Sequence, residues 1–313
     1  MSSKYYYSQR DKQQALIGSP IFNGDKGHGY FRGKPYPFVL QDGRNNLYPP
    51  FEEVQRYFDE NKISWWAGDK PTGHVLSSQM ACLNHLFPLM RDKEAVLKIL
   101  NGVRNEFTEV LPIMCDKEPQ YIAFEVVSKE DHLNELYSTR GSNCTSVDAF
   151  ILARHKSGKV WLIPIEWKYT EHYATEDKSE GEKGETRKSR YNELIKDSTQ
   201  LITLPNFKVY YQEPFYQLMR QTLWAEQVKA NKATEILKAD DYFHIHVIPS
   251  ANAGLLKTNP RFPYKVSGKG MEETWRSCLT DQSKYQIVDP EVLLSPIKDD
   301  YPDLIQYLQT RYW

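Results

Sequence analysis

Two acidic residues and a lysine interrupt a pair of strongly apolar segments near the middle of the chain. Asp148 lies in the run 146–152, and Glu166 and Lys168 lie in the run 161–168. Such side chains are rarely buried without a partner, because an unpaired charge loses its hydration when it leaves water. They could form a structural ion pair or hold a metal ion. We favour the metal ion, because the acids are expected at the ends of adjacent strands.

The number of residues between the two runs decides whether the three side chains can meet. Side chains alternate between the faces of a strand, so Glu166 and Lys168 project to one side. A hairpin with a three-residue loop centred on Ser157 places Asp148 opposite Glu166, whereas a two-residue turn pairs it with Trp167 and turns it away. The metal hypothesis therefore predicts an odd-numbered loop or a bulge.

A proline in the second run bears on the same register. Pro164 has no N–H to donate to a strand ladder, so it predicts a bulge or a free edge two residues before Glu166.

The chemistry that these groups could perform is metal-dependent hydrolysis of a phosphodiester. Directly opposed cross-strand residues have Cβ atoms ~4.5–5.5 Å apart, close enough for Asp148 and Glu166 to share one divalent ion. Carboxylates with open water positions suit Mg²⁺, with Mn²⁺ as the alternative. Lys168 would orient or help to deprotonate the attacking water, or offset charge that builds on the phosphate.

The surrounding pattern predicts the elements that would position these residues. Ser77 caps a first long helix that bends at Pro88. Residues 171–200 carry dense charge of both signs, which is typical of a solvated, flexible segment. The other predicted elements are a short helix at 51–61, a strand at 121–127, a short strand within 201–211, a helix at 214–230 and a last strand at 242–248.

The motif and the order of elements resemble the PD-(D/E)XK nuclease superfamily, which has the restriction-endonuclease-like fold. Asp148 matches the metal-binding aspartate, Glu166-Trp167-Lys168 matches the Glu-x-Lys motif, and Val147 stands where the family has proline. The resemblance implies an α/β core of helix, three-stranded antiparallel meander, helix and strand, with N- and C-terminal elaborations. It also implies a DNA phosphodiesterase in which the Trp167 carbonyl completes the metal shell.

The segments 77–79 and 84–87 also resemble bacterial proteins classed as restriction endonucleases. By the same resemblance, Glu125 or Glu135 would supply a further metal ligand, and Gln79 would contact a metal-bound water. The superfamily often places polar residues on the second helix against the scissile phosphate, where this chain has Gln217 and Arg220. An ordinary solvated helix face is the alternative for that pair.

A basic segment follows the last predicted core strand. Residues 242–271 contain no acid, and Lys257, Arg261 and Lys265 alternate with proline and aromatic residues, which predicts contact with a phosphate backbone. A proline-rich surface loop is the alternative. His244 and His246 would share a strand face, and we interpret them as core histidines rather than zinc ligands.

Composition sets the limits of the functional prediction. A chain of 313 residues that is 40% hydrophobic can form one domain, with an N-terminal extension (1–76), a catalytic core (77–250) and a C-terminal basic loop and helix (251–313). The net charge of −1 provides no general attraction to nucleic acid, so binding would depend on local patches. The absence of a membrane span or signal peptide in the sequence predicts a cytoplasmic protein.

The combined prediction is a Mg²⁺-dependent DNA endonuclease that acts in restriction or another defence role. Cleavage of both DNA strands would favour a homodimer, because one metal site hydrolyses one phosphodiester at a time. The alternative from a different class is a non-catalytic nucleic-acid-binding protein that keeps the fold, with Asp148, Glu166 and Lys168 as a salt-bridge cluster.

Overall fold

The computed structural model of the chain describes residues 4–66, 68–113, 119–128, 130–136, 144–173, 177–204, 207–257 and 267–313. The helices in these ranges are α1 (Lys4–Ala15), α2 (Phe51–Glu60), α3 (Ser78–Leu86), α4 (Lys93–Val103), α5 (Gly181–Asp197), α6 (Phe215–Ala230), α7 (Ala253–Leu256), α8 (Met271–Arg276), α9 (Pro290–Leu294) and α10 (Pro302–Arg311). The strands are β1 (Tyr30–Phe31), β2 (Lys34–Pro35), β3 (Phe107–Leu111), β4 (Ala123–Val126), β5 (Val147–His155), β6 (Val160–Trp167), β7 (Asp241–Tyr242), β8 (His244–Val247) and β9 (Tyr285–Val288). Within these ranges, none of the helices has both the length and the apolar character needed to cross a bilayer.

One mixed sheet contains the strands that carry the candidate residues, in the order β3-β5-β6-β8-β9. β3 and β4 both pair antiparallel with β5, so they lie end to end along one side of it. β5 pairs antiparallel with β6, whereas β6, β8 and β9 are parallel to one another. The predicted antiparallel meander, β4-β5-β6, is confirmed, and it forms part of a larger α/β architecture.

The hairpin between β5 and β6 sets the register of the candidate residues. His155 donates its N–H to the Lys159 carbonyl at 2.9 Å, so three residues close the loop, with Ser157 at the centre. Gly158 has a φ of +82°, the left-handed conformation that a three-residue hairpin loop requires and that glycine adopts without steric cost. The predicted odd-numbered loop is therefore confirmed.

Alternate residues of the central strands face two separate apolar cores. Ile151 and Ile163 pack on the side that carries α3 and α4, and Phe150 and Leu162 pack on the side that carries α6. Burial of each large apolar side chain stabilises the fold by ~1.5–3 kcal/mol, so both faces of the sheet hold their helices firmly. Glu166, like Leu162, is an even-numbered residue of β6, and Lys168 follows the end of that strand; both side chains contact α6.

Pro164 lies inside the sheet, and the predicted bulge or free edge is wrong. The β5–β6 register passes through this proline without a shift. The Leu162 carbonyl accepts the Phe243 N–H at 3.0 Å, and the Lys168 N–H donates to the Val247 carbonyl at 2.9 Å. The backbone groups of even-numbered residues in this segment therefore face β7 and β8. The ladder is interrupted between β7 and β8, opposite Pro164, which is where a residue without an N–H is tolerated.

The charged segment is helical, so the prediction of a flexible excursion is wrong over residues 181–197. Only Gly184, Tyr191 and Ile195 of α5 are buried, and the solvent side carries pairs such as Lys188–Glu185 at 2.8 Å. Two apolar contacts in a long charged segment give a weak periodic signal, which explains the error.

Other differences lie at the ends of the chain and between α5 and α6. α1 and β9 were not expected, and the first long helix is broken after Leu86 rather than bent. The short strand predicted within 201–211 is reduced to an isolated bridge from Leu201 to Leu279 and a 3₁₀ turn at Lys208–Tyr211. The helix at 214–230 is confirmed as α6, and its apolar residues Leu218, Leu223 and Trp224 are buried.

A buried arginine joins the two ends of the chain, and its removal should destabilise the protein. Arg311 is fully buried and donates to Gln13 Oε1 at 3.0 Å, to the Asn46 carbonyl at 2.8 Å and to the Tyr307 hydroxyl at 2.5 Å. Arg311→Ala removes these hydrogen bonds together and leaves a buried polar cavity, so we expect the free energy of unfolding in urea to fall by about 3 kcal/mol. Arg10→Ala, which removes the partly exposed pair with Asp11 and a contact with the exposed Tyr7 ring, should change the free energy of unfolding by less than about 0.5 kcal/mol. Equal losses in the two variants would contradict this role of Arg311.

Candidate functional site

Three acidic residues are aligned across three neighbouring strands at one end of the sheet. The last pair of the β5–β6 ladder is Ala149 with Ile165, and the same register places Asp148 opposite Glu166. On the other side of β5, the register of β4 places Glu125 opposite Asp148. This register agrees with the alignment that the metal hypothesis requires, and the charges of Glu166 and Glu125 both act on Asp148.

Side chains of α6 cover the Glu166 end of this row. Lys168 Nζ donates to Glu166 Oε1 at 2.6 Å and to Gln217 Oε1 at 2.7 Å. The Gln221 amide donates to the other oxygen of Glu166. Gln217 and Gln221 are four residues apart, so they share one helix face. The Tyr173 hydroxyl also donates to Gln217, at 3.3 Å. Lys168 and Glu166 thus form an ion pair in which both charges have further polar partners.

Asp148 is the most accessible of the three predicted catalytic residues. Glu166 and Lys168 are only 3% and 5% exposed, whereas Asp148 is half-buried. Asp148 Oδ2 accepts the Trp167 N–H at 2.7 Å, just beyond the last ladder pair, where a strand carbonyl would otherwise accept it.

The carboxylates repel one another, and this repulsion affects the protonation of the site. Burial, followed by the charges of Glu166 and Glu125, raises the pKa of Asp148 well above its usual value. Burial alone would lower the pKa of Lys168, but the neighbouring Glu166 outweighs it and the net shift is upward. Lys168 is thus a cation at neutral pH, and a further cation beside Asp148 would relieve the repulsion.

The donor set fits a magnesium ion better than a metal held entirely by protein ligands. In the described ranges, no three His, Cys, Asp or Glu side chains form a group that could hold a metal ion. Mg²⁺ commonly uses one or two carboxylates and keeps several waters, so Asp148 with Glu166 or Glu125 would suffice. The Trp167 carbonyl is adjacent in sequence to Glu166 and is a further candidate.

Glu125 has an unusual backbone conformation and a contact with α3. Its φ of +52° lies in the left-handed region, which costs a residue other than glycine about 1–3 kcal/mol. Gln79 Nε2 is 3.4 Å from Glu125 Oε1, and Gln79 Oε1 accepts the Trp66 N–H at 3.1 Å. The structure therefore brings Gln79 next to the acidic row, as the sequence-based interpretation requires.

Glu135 and Arg220 bind each other. Glu135 is 3% exposed, and its Oε1 accepts from Arg220 Nη2 at 3.1 Å and from the Tyr191 hydroxyl at 2.6 Å. Its other oxygen accepts the Thr145 N–H at 2.5 Å. With these donors in place, Glu135 is a poor candidate for the further metal ligand. Arg220 already has a carboxylate partner, and its contact with a phosphate stays a prediction.

The remaining predicted residues are distributed as follows. Gln217 is part of the cluster through Lys168. Lys257 is exposed at the end of α7, while Arg261 and Lys265 lie outside the described residues. His246 is buried, with Nδ1 2.9 Å from the Tyr285 hydroxyl, and burial lowers the pKa of His244 to about 4. Both histidines are therefore neutral core residues near pH 7.

Sequence reasoning missed Gln221 and Tyr173 in this cluster. The signal for Gln221 was its spacing of four residues from Gln217, which places both on one helix face. No comparable local signal points to Tyr173, because it reaches the cluster through the loop after β6.

The raised pKa of Asp148 predicts a specific effect of pH on stability. The native state binds the Asp148 proton more tightly than the unfolded state does. This difference stabilises the native state fully below the unfolded pKa of about 3.9, and the stabilisation is lost as pH rises through the native pKa. Asp148→Asn cannot ionise, so it does not lose this stability as pH rises, and its amide oxygen can still accept the Trp167 N–H. With chelator present, its free energy of unfolding relative to the wild type should therefore rise from pH 5 to pH 8.

Asp240→Asn is the matched control, and its stability is expected to depend on pH in the opposite direction. The hydrogen bond from Lys232 lowers the pKa of Asp240, so its carboxylate stabilises the fold above the unfolded pKa and Asp240→Asn should lose stability at neutral pH. Urea unfolding curves of both variants at several pH values measure the difference. A constant offset for Asp148→Asn across this range would contradict the electrostatic account.

The fold and the site define an α/β protein with a mixed sheet, an acidic row and a buried Lys–Glu pair at one end of that sheet. The family model described as "Restriction Endonuclease associating with ARP" matches residues 19–313. The chain therefore belongs to this restriction-endonuclease-associated family. No curated protein and no solved structure matches the chain.

Proposed function

We propose that this protein is a cytoplasmic Mg²⁺-dependent endonuclease that hydrolyses DNA in restriction or another defence role. The observation that carries the proposal is the register that sets Asp148 opposite Glu166, with Lys168 on the same face. Membership of a restriction-endonuclease-associated family supports the same class of activity. The resemblance to the PD-(D/E)XK superfamily is part of this proposal.

Asp148 and Glu166 would hold the metal, with Glu125 as the third acidic candidate. When bound, Mg²⁺ would polarise a phosphoryl oxygen and favour ionisation of a water. Asp148 is the least buried of the three predicted catalytic residues, and the Trp167 N–H bonds to its Oδ2 rather than its Oδ1. Glu166 is held in place from two sides by Lys168 and Gln221, which fixes the direction of its oxygens.

The protonation state of Lys168 selects among its predicted roles. Because Glu166 raises its pKa, the ammonium is a poor acceptor of a proton from water. A fixed positive charge instead suits an electrostatic role, in which Lys168 orients the nucleophile or offsets negative charge on the phosphate. Gln217 positions the ammonium through its 2.7 Å hydrogen bond.

The test of this function is cleavage of plasmid and of single-stranded DNA by the purified full chain, with Mg²⁺, with Mn²⁺ and with chelator. Nicked or linear products that need the metal and disappear with chelator are the expected result. Metal-dependent cleavage of RNA but not DNA would overturn the proposed substrate, and products that persist in chelator would overturn the metal mechanism. Sedimentation with cognate DNA would show whether double-strand cleavage uses a homodimer.

The second candidate is a non-catalytic DNA-binding protein. The observation in its favour is that Glu166 and Lys168 are almost fully buried and already neutralise each other. A structural ion pair of this kind would not bind Mg²⁺. DNA binding without cleavage of any DNA form, together with no Mg²⁺-dependent rise in the melting temperature, would support this candidate.

A further inference from the structure

An open cleft lies in the segment that precedes α3. β1 and β2 form a hairpin whose two turn residues, Arg32 and Gly33, have φ values of +51° and +77°. Two positive values are characteristic of a type I′ turn, which joins tightly twisted strands. The hairpin, residues 40–44, Trp66 and residues 69–73 line a cleft of about 1470 Å³. This volume exceeds the roughly 300–1,000 Å³ of a typical small-molecule site, so the cleft can admit part of a polymer.

The cleft presents aromatic rings to solvent. Trp66 is 56% exposed and Tyr30 is 75% exposed. Phe31 stacks on Trp66, with ring centroids 5.5 Å apart and an angle of 19° between the planes. The Phe31 ring therefore fixes one face of the indole and leaves the rest of this large side chain accessible. Flat, exposed rings of this kind are the surfaces on which unstacked nucleobases bind.

The hairpin and the residues beside it also carry positive charge. Residues 26–41 contain Lys26, Arg32 and Lys34 but no acid. Within the described part of the chain, none of these three cations has an ion-pair partner, although Arg32 lies 5.2 Å from the centroid of the Phe31 ring. Basic side chains interleaved with aromatic rings favour a nucleic-acid backbone.

The negative charges in the cleft only partly offset this surface. Its lining includes Arg44 and Lys70 besides Arg32, with Asp42 and Asp69 as the acids. Asp42 is already paired with Arg44, which leaves the hairpin side of the cleft positive.

Hydrogen bonds connect the cleft to the acidic row. The Trp66 N–H donates to Gln79 Oε1 at 3.1 Å, and Gln79 Nε2 approaches Glu125 Oε1 at 3.4 Å. Glu125 is opposite Asp148 in the sheet register. A nucleotide that stacks on Trp66 would thus lie close to the carboxylates.

We propose that this cleft binds an unstacked nucleotide of the DNA substrate, next to the phosphate that is cut. The base stacks on Trp66 and Tyr30, and Arg32 and Lys34 contact the backbone phosphates. The inference deepens the proposed function, since it takes the acidic row as the place of cleavage. Stacking accepts every base but needs one that is unpaired. We therefore expect a preference for single-stranded DNA, or for duplex with an unpaired nucleotide, over perfect duplex.

The experiment measures DNA binding in chelator, where no cleavage takes place. Fluorescence anisotropy would compare a single strand, a perfect duplex and a duplex with one unpaired nucleotide, using the full chain. We expect Trp66→Ala to bind the first and third substrates roughly 5- to 100-fold more weakly. Trp66→Phe, which keeps a ring, and Tyr7→Ala, which removes an exposed ring on α1, should bind within about twofold of the wild type. Trp66 contacts Gln79 through its backbone, so Trp66→Ala keeps that bond, and its thermal unfolding would verify the fold.

A second variant tests the charges separately from the ring. Arg32→Gln combined with Lys34→Gln should reduce the slope of log affinity against log salt for a single strand by about 1.4, because two phosphate contacts are lost. An unchanged slope would overturn the phosphate contacts.

The outcomes separate this inference from the proposed function. If Trp66→Ala binds every DNA as the wild type does, the cleft is not the nucleotide site, while Mg²⁺-dependent cleavage by the same variant would leave the nuclease function intact. If the wild type binds no DNA of any form in chelator, the cleft inference fails, and the cleavage assay with Mg²⁺ decides the nuclease function separately. Tighter, Trp66-dependent binding of RNA would overturn DNA as the occupant of the cleft.

Discussion

Asp148→Ala is expected to reduce metal-dependent DNA cleavage by about 10³-fold or more. Asp148 is half-buried and, on the register of the β5–β6 ladder, lies opposite Glu166. Its loss would remove a metal ligand, and the metal supplies several kcal/mol of charge stabilisation in the transition state. Single-turnover cleavage of a labelled substrate, with Mg²⁺ in excess, measures the change in rate.

Two further measurements show whether the loss comes from the metal. Mg²⁺ should raise the melting temperature of the wild type and not that of Asp148→Asn, because only a native state that binds the ion is stabilised by it. Asp240→Asn, which changes a carboxylate that binds Lys232, should keep its cleavage rate within about threefold. Full activity in Asp148→Ala would remove this residue from the proposed mechanism.

Lys168→Met is expected to lower the cleavage rate by about 10²- to 10³-fold, the usual effect of losing one preorganised charge at a reacting group. The ammonium is held between Glu166 and Gln217, and Met preserves most of the length of the side chain without the charge. If Lys168 acts on the nucleophile or the phosphate, the rate at saturating DNA should fall while DNA affinity in chelator stays within a few fold.

Lys168→Met also leaves Glu166 buried beside an uncharged residue, so loss of stability must be separated from loss of chemistry. Lys284→Met provides the matched case, because Lys284 is a largely buried lysine paired with Asp241 at 2.5 Å and lies outside the acidic row. Both variants should melt at lower temperature than the wild type, but only Lys168→Met should lose cleavage at a temperature where both are folded. A parallel loss of rate and stability in the two variants would indicate a purely structural role for Lys168.

The central part of the fold could be predicted because its signals are local. The apolar runs on each side of Ser157 defined two strands, and the glycine after Ser157 permitted the three-residue loop that closes them. The Ser77 cap and the apolar face of α6 were equally readable, since each depends on residues within a few turns of helix. These features led correctly to the β4-β5-β6 meander and to the contact between Glu166 and Lys168.

The errors arose where long-range packing outweighs local pattern. α5 has a highly charged sequence, yet Tyr191 and Ile195 anchor it on the core. Pro164 should have disrupted a central strand, but the interruption between β7 and β8 removes the demand for its N–H. β9 joins the sheet from the far end of the chain, and its short sequence carries no information about that neighbour.

The sharing of a face by Glu166 and Lys168 follows from their spacing along one strand, and the opposition of Asp148 to Glu166 follows from the length of one hairpin loop. Both are consequences of backbone geometry that any reader of the residues can work out. The partners of the charged side chains, by contrast, depend on how the helices pack against the sheet. α6 brought Gln217 and Gln221 onto the Lys168–Glu166 pair, and it gave Arg220 to Glu135 instead of leaving it exposed. The reason is physical: the energy of a charge depends on every group and on the water around it, and these surroundings come from segments far apart in the chain.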